Sequence, residues 1–242
     1  MSRLLLQARK LASILTVSLW RKALMQHRVA AGVEHITVLR QLGACRTVVD
    51  IGANRGQFAL AARAAFADAQ IYSFEPLSAP ASGYRATLAS DVRVCLLEAA
   101  VGPEKGEADI HLSERDDSSS LLPITGRQDE LFPGTAEIGR GRISVVRLAD
   151  VLSAEEIVAP SLLKLDVQGF ELQALAGSED LLPLFDWVYV ECSFVELYAG
   201  QAFADEVIAW LRERGFRLTG VFNMSYDRAG RAIQADFLFK KS

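Results

Sequence analysis

The sequence predicts a doubly wound α/β domain, and three observations carry that expectation. Thr47-Val-Val-Asp50-Ile-Gly52-Ala-Asn54-Arg-Gly56-Gln-Phe58 reads as a β-branched strand ending in an acid, a tight turn with two glycines, and an alanine-rich helix running to Ala67. Gln70-Ile-Tyr-Ser-Phe74 is a second strand, closed by Glu75-Pro76. Two further apolar runs, Ser161-Leu-Leu-Lys-Leu165 and Trp187-Val-Tyr-Val190, end in Asp166 and Glu191. Ligands bind at the carboxyl ends of strands in open α/β sheets, so these four acids mark one functional edge.

Ahead of that core, residues 1–33 carry six basic residues and no acid, whereas the other 209 carry 20 basic and 30 acidic groups. Residues 3–29 are expected to be helical. Leu4, Leu5, Ala8, Leu11, Ala12, Leu15 and Leu19 share one arc, with Arg3, Lys10 and Arg21 away from it; Ile14, Val17 and Trp20 interrupt the polar side. The apolar stretch Leu11–Trp20 is ten residues long, too short to span a bilayer. Its composition also fits a signal-peptide apolar region or an arginine-rich transit peptide, but no convincing cleavage site follows. Amphipathic helices usually bury their apolar side in protein. Packing on the main domain or on a second copy is therefore expected ahead of contact with a membrane surface. The chain thus divides into a basic helical extension, residues 1–33, and a main domain, residues 34–242.

The main domain opens with a helix over Glu34–Leu42, closed by Gly43, before the first strand. Residues 78–83 are expected to be a loop and Tyr84–Ser90 a short helix. The third strand, Val92–Leu97, delivers Glu98 to the same edge. Gly106–Leu112 and Arg142–Arg147 alternate in polarity and should pair antiparallel, and the polar stretch Ser113–Gly141 between them reads as a lid on the substrate side. Leu148–Leu152 enters a short helix. The helix after Asp166 runs through Ala176 and stops at Gly177, the usual place for a C-terminal glycine. Ala202–Arg214 is an amphipathic helix, and Phe216–Phe222 with Ala235–Lys240 forms a closing antiparallel hairpin around Tyr226–Gly230.

Composition narrows the chemistry. A net charge of −4 points away from nucleic acid. Cys45, Cys95 and Cys192 are odd in number and lack a Cys-x-x-Cys pair, which fits a reduced, cytoplasmic compartment, with the basic extension leaving room for a peripheral place at a membrane. His27, His35 and His111 show no ligand spacing, so no metal site is expected.

The glycine turn is spaced Asp-x-Gly-x-x-x-Gly, not the Gly-x-Gly-x-x-Gly of dinucleotide sites. An acid ending the second strand can accept hydrogen bonds from both ribose hydroxyls of an adenosyl ligand. Together these features point to S-adenosylmethionine, held by Asp50, Gly52, Asn54, Gly56 and Glu75, with Glu98 as an adenine-side candidate or else a plain surface acid. Methyl transfer is an in-line displacement in which a nearby carboxylate can take the acceptor's proton. Asp166 is the first choice for that acceptor-side chemistry and Glu191 the second; helix capping is the structural alternative for Asp166.

The motifs Asp50-Ile-Gly-Ala-Asn-Arg-Gly56, Phe74-Glu75-Pro76, Lys164-Leu-Asp-Val-Gln-Gly-Phe-Glu171 with Leu175-Ala-Gly177, Glu191, and Ala235-Asp236-Phe-Leu-Phe239 resemble the FkbM family of S-adenosylmethionine-dependent methyltransferases over about residues 35–240. The resemblance implies a class I methyltransferase fold, a seven-stranded sheet with its last strand antiparallel, and O-methylation of a hydroxyl on a sugar, glycolipid or polyketide-like metabolite. Gln168 stands where the family often has Glu, which weakens any assignment of that position as a base, and Ala149 interrupts a common Leu-Asp-Asp pattern. Two other classes stay open on the residues alone. One is a nicotinamide-dependent oxidoreductase, disfavoured by the glycine spacing and the lack of a Tyr-x-x-x-Lys pair. The other is a membrane-recruited binding protein with the same fold and no turnover.

Overall fold

The computed structural model describes residues 3–242, and side chains from Lys10 onward. The chain begins with α1 (Arg3–Thr16) and α2 (Ser18–Lys22), followed by one π-helical turn over Ala23–His27. A 3₁₀ turn and α3 (Ile36–Gln41) lead into β1 (Thr47–Ile51), α4 (Gln57–Ala65), β2 (Gln70–Phe74), α5 (Ser78–Leu88) and β3 (Val94–Leu97). Next come β4 (Ala100–Val101), β5 (Gly106–Ser113), α6 (Gly126–Leu131) and β6 (Glu137–Val146). The chain closes with β7 (Ser161–Leu165), α7 (Glu171–Gly177), β8 (Trp187–Ser193), α8 (Ala204–Glu213), β9 (Phe216–Tyr226) and β10 (Ala232–Lys241).

Seven strands form one sheet in the order β3-β2-β1-β7-β8-β10-β9. All pairings are parallel except those of β10, which runs antiparallel to both β8 and β9, as expected of a class I methyltransferase fold. Successive side chains on a strand point to opposite faces. Val48 and Leu162 accordingly enter a layer with α3, α4 and the N-terminal segment, while Val49, Ile51, Leu163 and Leu165 enter a layer with α7 and α8. Because β1 and β7 are buried on both faces, their apolar residues run without alternation, and the two charged residues among them, Asp50 and Lys164, pair with each other. A small second sheet, β4-β6-β5, holds the expected antiparallel pairing, with Gly106 opposite Val145 and Asp109 opposite Arg142.

Three expectations need correction. Residues 78–83 are helical, not a loop: Pro80 lies in the first turn of α5, where a missing N–H costs nothing. The second strand of the antiparallel pair starts at Glu137 and not at Arg142, so the Ser113–Gly141 stretch contains α6 and the first part of β6. The single helix expected over residues 3–29 breaks at Val17, which is extended (φ −102°, ψ 120°) and β-branched. The break turns Trp20 into the core, where its indole N–H donates to the Leu60 carbonyl at 2.8 Å. The residues expected to spoil the polar side, Ile14 and Trp20, are the buried ones, while Leu11 is 50% exposed and Leu15 44%. For Trp20 the packing face is selected by the fit against α4, which periodicity alone does not encode. The arc positions Leu4, Leu5 and Ala8 lie outside the described side chains. Among the described residues, no helix is long and apolar enough to cross a membrane.

Candidate active site

The site begins with one buried ion pair. Lys164 sits in the middle of β7, 4% exposed, because β1 and β7 are neighbours and Asp50 lies opposite it in register. Its Nζ is 3.0 Å from Asp50 Oδ1 and donates to the Gly52 carbonyl at 3.2 Å. Burial works to lower the Lys164 pKa, but the carboxylates of Asp50 and Asp166 outweigh it and leave the ammonium raised above its ordinary value. Asp50 is fully buried and sits beneath the turn, where it anchors Lys164.

Above this pair the turn folds over the end of β2. The N–H groups of Gly52 and Ala53 both donate to the Phe74 carbonyl, and that of Asn54 donates to Glu75 Oε2 at 2.9 Å. The Leu77 N–H reaches Glu75 Oε1 at 2.8 Å. Each carboxylate oxygen therefore holds one backbone donor and keeps further lone pairs for a ligand. Burial pushes the Glu75 pKa up to about 7 against the opposing pull of these hydrogen bonds.

Gly52 (φ +82°) is required by its neighbour strand: a Cβ there would lie 1.8 Å from the Asp166 carbonyl oxygen. The backbone crowding adds to the reason the sequence offered, close approach of a ligand. Gly56 faces the Tyr84 ring on α5. Gly177 ends α7, but its packing role is contact with the Gly102 backbone, where a Cβ would come within 2.2 Å.

A cavity of about 250 Å³ opens at this edge. Gly52, Asn54, Glu75 and Asp166 line it, with Leu77, Val101 and Ile110 as apolar lining, and Lys164 and His35 line it as well. Asp116–Leu121, from the stretch expected as a lid, covers one side and is tied down by Arg55 to Asp116 at 2.5 Å and by Ser120 Oγ to the Gln168 carbonyl at 2.6 Å. Glu98 is elsewhere; it pairs with Arg85 of α5 and does not line the cavity. Asp166 does not cap α7, which starts at Glu171.

Asp166 and Glu191 are joined through Gln168. Its amide nitrogen donates to Asp166 Oδ1 at 2.6 Å and to Glu191 Oε2 at 3.2 Å, while its carbonyl oxygen accepts from the Tyr198 hydroxyl at 2.6 Å. Holding that bridge places Gln168 in the left-handed region, at φ +55°. Glu191 lies behind Asp166, off the cavity lining, and also accepts from Gln234. Burial first, then the nearby Asp166 and Asp236, raises its pKa well above the usual carboxylate range.

Sequence reasoning gave no role to Lys164, His35, Tyr189 or Asp236. One signal was present: a lysine inside Leu-Leu-Lys-Leu of a core strand must be paired to be buried. His35 carried no comparable signal, because its partners lie 154 and 201 positions away on β8 and β10.

Residues 50–218 match the family model described as the methyltransferase FkbM domain, more than half of the chain. The chain belongs to the FkbM methyltransferase family. S-adenosylmethionine is the cofactor that membership brings, and the nicotinamide alternative falls with it. The chain is 32% identical to 2-O-methyltransferase NoeI of Sinorhizobium fredii over 64% of this chain and 66% of that one, just under two thirds of the relative's length. It is 30% identical to 31-O-demethyl-FK506 methyltransferase FkbM of Streptomyces tacrolimicus over 70% and 72%. Among solved structures, magnesium protoporphyrin IX methyltransferase (ChlM) from Synechocystis with bound SAM is similar at TM-score 0.49 and 13% identity, over 87% of this chain and 81% of that one. The FkbM match ends before β10 and starts after His35, so it is narrower than residues 35–240.

Proposed function

We propose that this protein methylates a hydroxyl oxygen of a small-molecule or glycan acceptor: a sugar, a glycolipid or a polyketide-like metabolite. Membership of the FkbM family, with two O-methyltransferases among its relatives, carries the reading. The cavity chemistry supports it. Glu75 has lone pairs for two ribose hydroxyls, Leu77, Val101 and Ile110 offer an apolar slot for adenine, and the Gly52–Asn54 backbone leaves room for the methionine end. When bound, S-adenosylmethionine supplies an electrophilic methyl group on a sulfonium. Asp166, half-exposed beside that turn, is proposed to orient the acceptor hydroxyl, with Glu191 and Gln168 fixing its carboxylate from behind. Asp50 acts indirectly, through Lys164.

The test is calorimetry with S-adenosylmethionine and with NAD, followed by methyl transfer to a panel of free-hydroxyl glycosides and polyketide-type alcohols. Binding of the first cofactor and recovery of a methyl ether are expected. Recovery of methyl groups on nitrogen alone would overturn the choice of acceptor atom.

A further inference from the structure

We propose that His35, from the segment preceding the FkbM match, is the base of the reaction, accepting the acceptor's hydroxyl proton on Nε2. The proposal rests on the O-methyltransferase reading and adds to it the residue that receives the proton.

Hydrogen bonding dictates the tautomer. The Tyr189 hydroxyl lies 2.7 Å from Asp236 Oδ2 and donates to it, because a carboxylate can only accept. Asn223 Nδ2 donates to the same oxygen at 2.7 Å. The Tyr189 oxygen therefore accepts from His35 Nδ1, 3.0 Å away, and Nδ1 carries the ring proton. Neutral Nε2 is left with its lone pair and no hydrogen-bond partner among the described residues, on a residue that lines the cavity. The ring is held edge-on against Phe58 and Tyr189, with centroids 5.2 and 5.6 Å away. A base oriented by a second group, which is in turn oriented by a carboxylate, is the arrangement general-base chemistry needs.

Six groups face the imidazole from the elements around it: Glu34 beside it, Asp50 on β1, Lys164 on β7 with Asp166 following, Tyr189 on β8 and Asp236 on β10. Burial dominates and lowers the His35 pKa below 6.5, against the pull of Asp236, so the free base is present at neutral pH. In the step, the O–H bond breaks and its proton moves to Nε2 while the oxygen forms a bond to the methyl carbon. The methyl–sulfur bond breaks with its electron pair left on sulfur. The imidazolium so formed is stabilised by Asp236 through Tyr189 until water takes the proton.

Two experiments test this. ¹⁵N-edited NMR of the whole protein needs no acceptor. It should show His35 protonated on Nδ1, with Nε2 bare and a titration midpoint below 6.5; a proton on Nε2 in the neutral ring overturns the proposal. On an acceptor found in the panel, His35→Gln should lose roughly 10²–10⁴-fold in kcat. It should also lose the acid limb of the pH profile at saturating cofactor, with cofactor Kd within about threefold of wild type. Unchanged kcat overturns the proposal, as does a cofactor Kd that weakens in step with turnover, which would assign His35 to the methionine end. Should His35→Gln fail to fold, Tyr189→Phe keeps the ring, and an unmoved acid limb in that variant overturns the relay. A wild-type protein that methylates no hydroxyl sinks the functional reading, and the NMR result still decides the tautomer.

Discussion

The proposed cofactor side and the proposed acceptor side of this site are built in opposite ways. On the cofactor side, Gly52, Asn54 and Glu75 lie within 24 consecutive residues and are locked by hydrogen bonds among themselves. On the acceptor side, His35, Asp166, Gln168, Tyr189, Glu191 and Asp236 come from four separate stretches, three of which meet because β7, β8 and β10 are adjacent in the sheet. A compact motif tolerates changes elsewhere in the chain. An assembled site depends on strand order.

The largest effects are expected at the seam where the two sides touch. Gly52→Val puts a branched side chain into the Asp166 carbonyl, so folding should lose on the order of 4 kcal/mol, well beyond the loss of a ligand contact. A urea midpoint near that of wild type would show that the seam is looser than the structure has it. Lys164→Met leaves Asp50 buried without its cation and should cost about 3–5 kcal/mol. The double variant with Asp50→Asn should recover much of that in thermal melts; a double variant no better than the single would separate the two residues energetically.

Two milder substitutions sharpen the contrast between halves. Asp166→Asn should lower kcat about 10²-fold through misplacement of the acceptor, with cofactor Kd little changed. Equal effects on both quantities would place Asp166 in the cofactor half. Glu75→Gln should do the reverse, weakening cofactor binding by about 1.5–3 kcal/mol. Its pH dependence follows from the raised pKa. Ribose hydroxyls donate to the carboxylate form, so wild-type affinity is full above pH 7 and falls as the pH drops below it, by up to about tenfold per unit. Calorimetry should find that slope in wild type and its absence in Glu75→Gln; a slope surviving the substitution would assign it to another group.

The sequence alone determined the β1 turn, the strand-end acids, the parallel core and the family, because each rests on neighbouring residues whose periodicity or spacing is physically diagnostic. Asp50, Gly52 and Glu75 were legible for that reason, although Asp50 proved to anchor Lys164 under the turn. Tertiary structure alone decided which face of α1 and α2 is buried: Ile14 and Trp20 are covered while Leu11 and Leu15 are not, Trp20 through its fit to α4 and neither through its place in a helical repeat. It also decided that Glu98 belongs to Arg85 and that His35 meets Tyr189 and Asp236. The pairing of residues 154 and 201 positions apart is set by which strands lie side by side, and no local pattern of side chains carries that information.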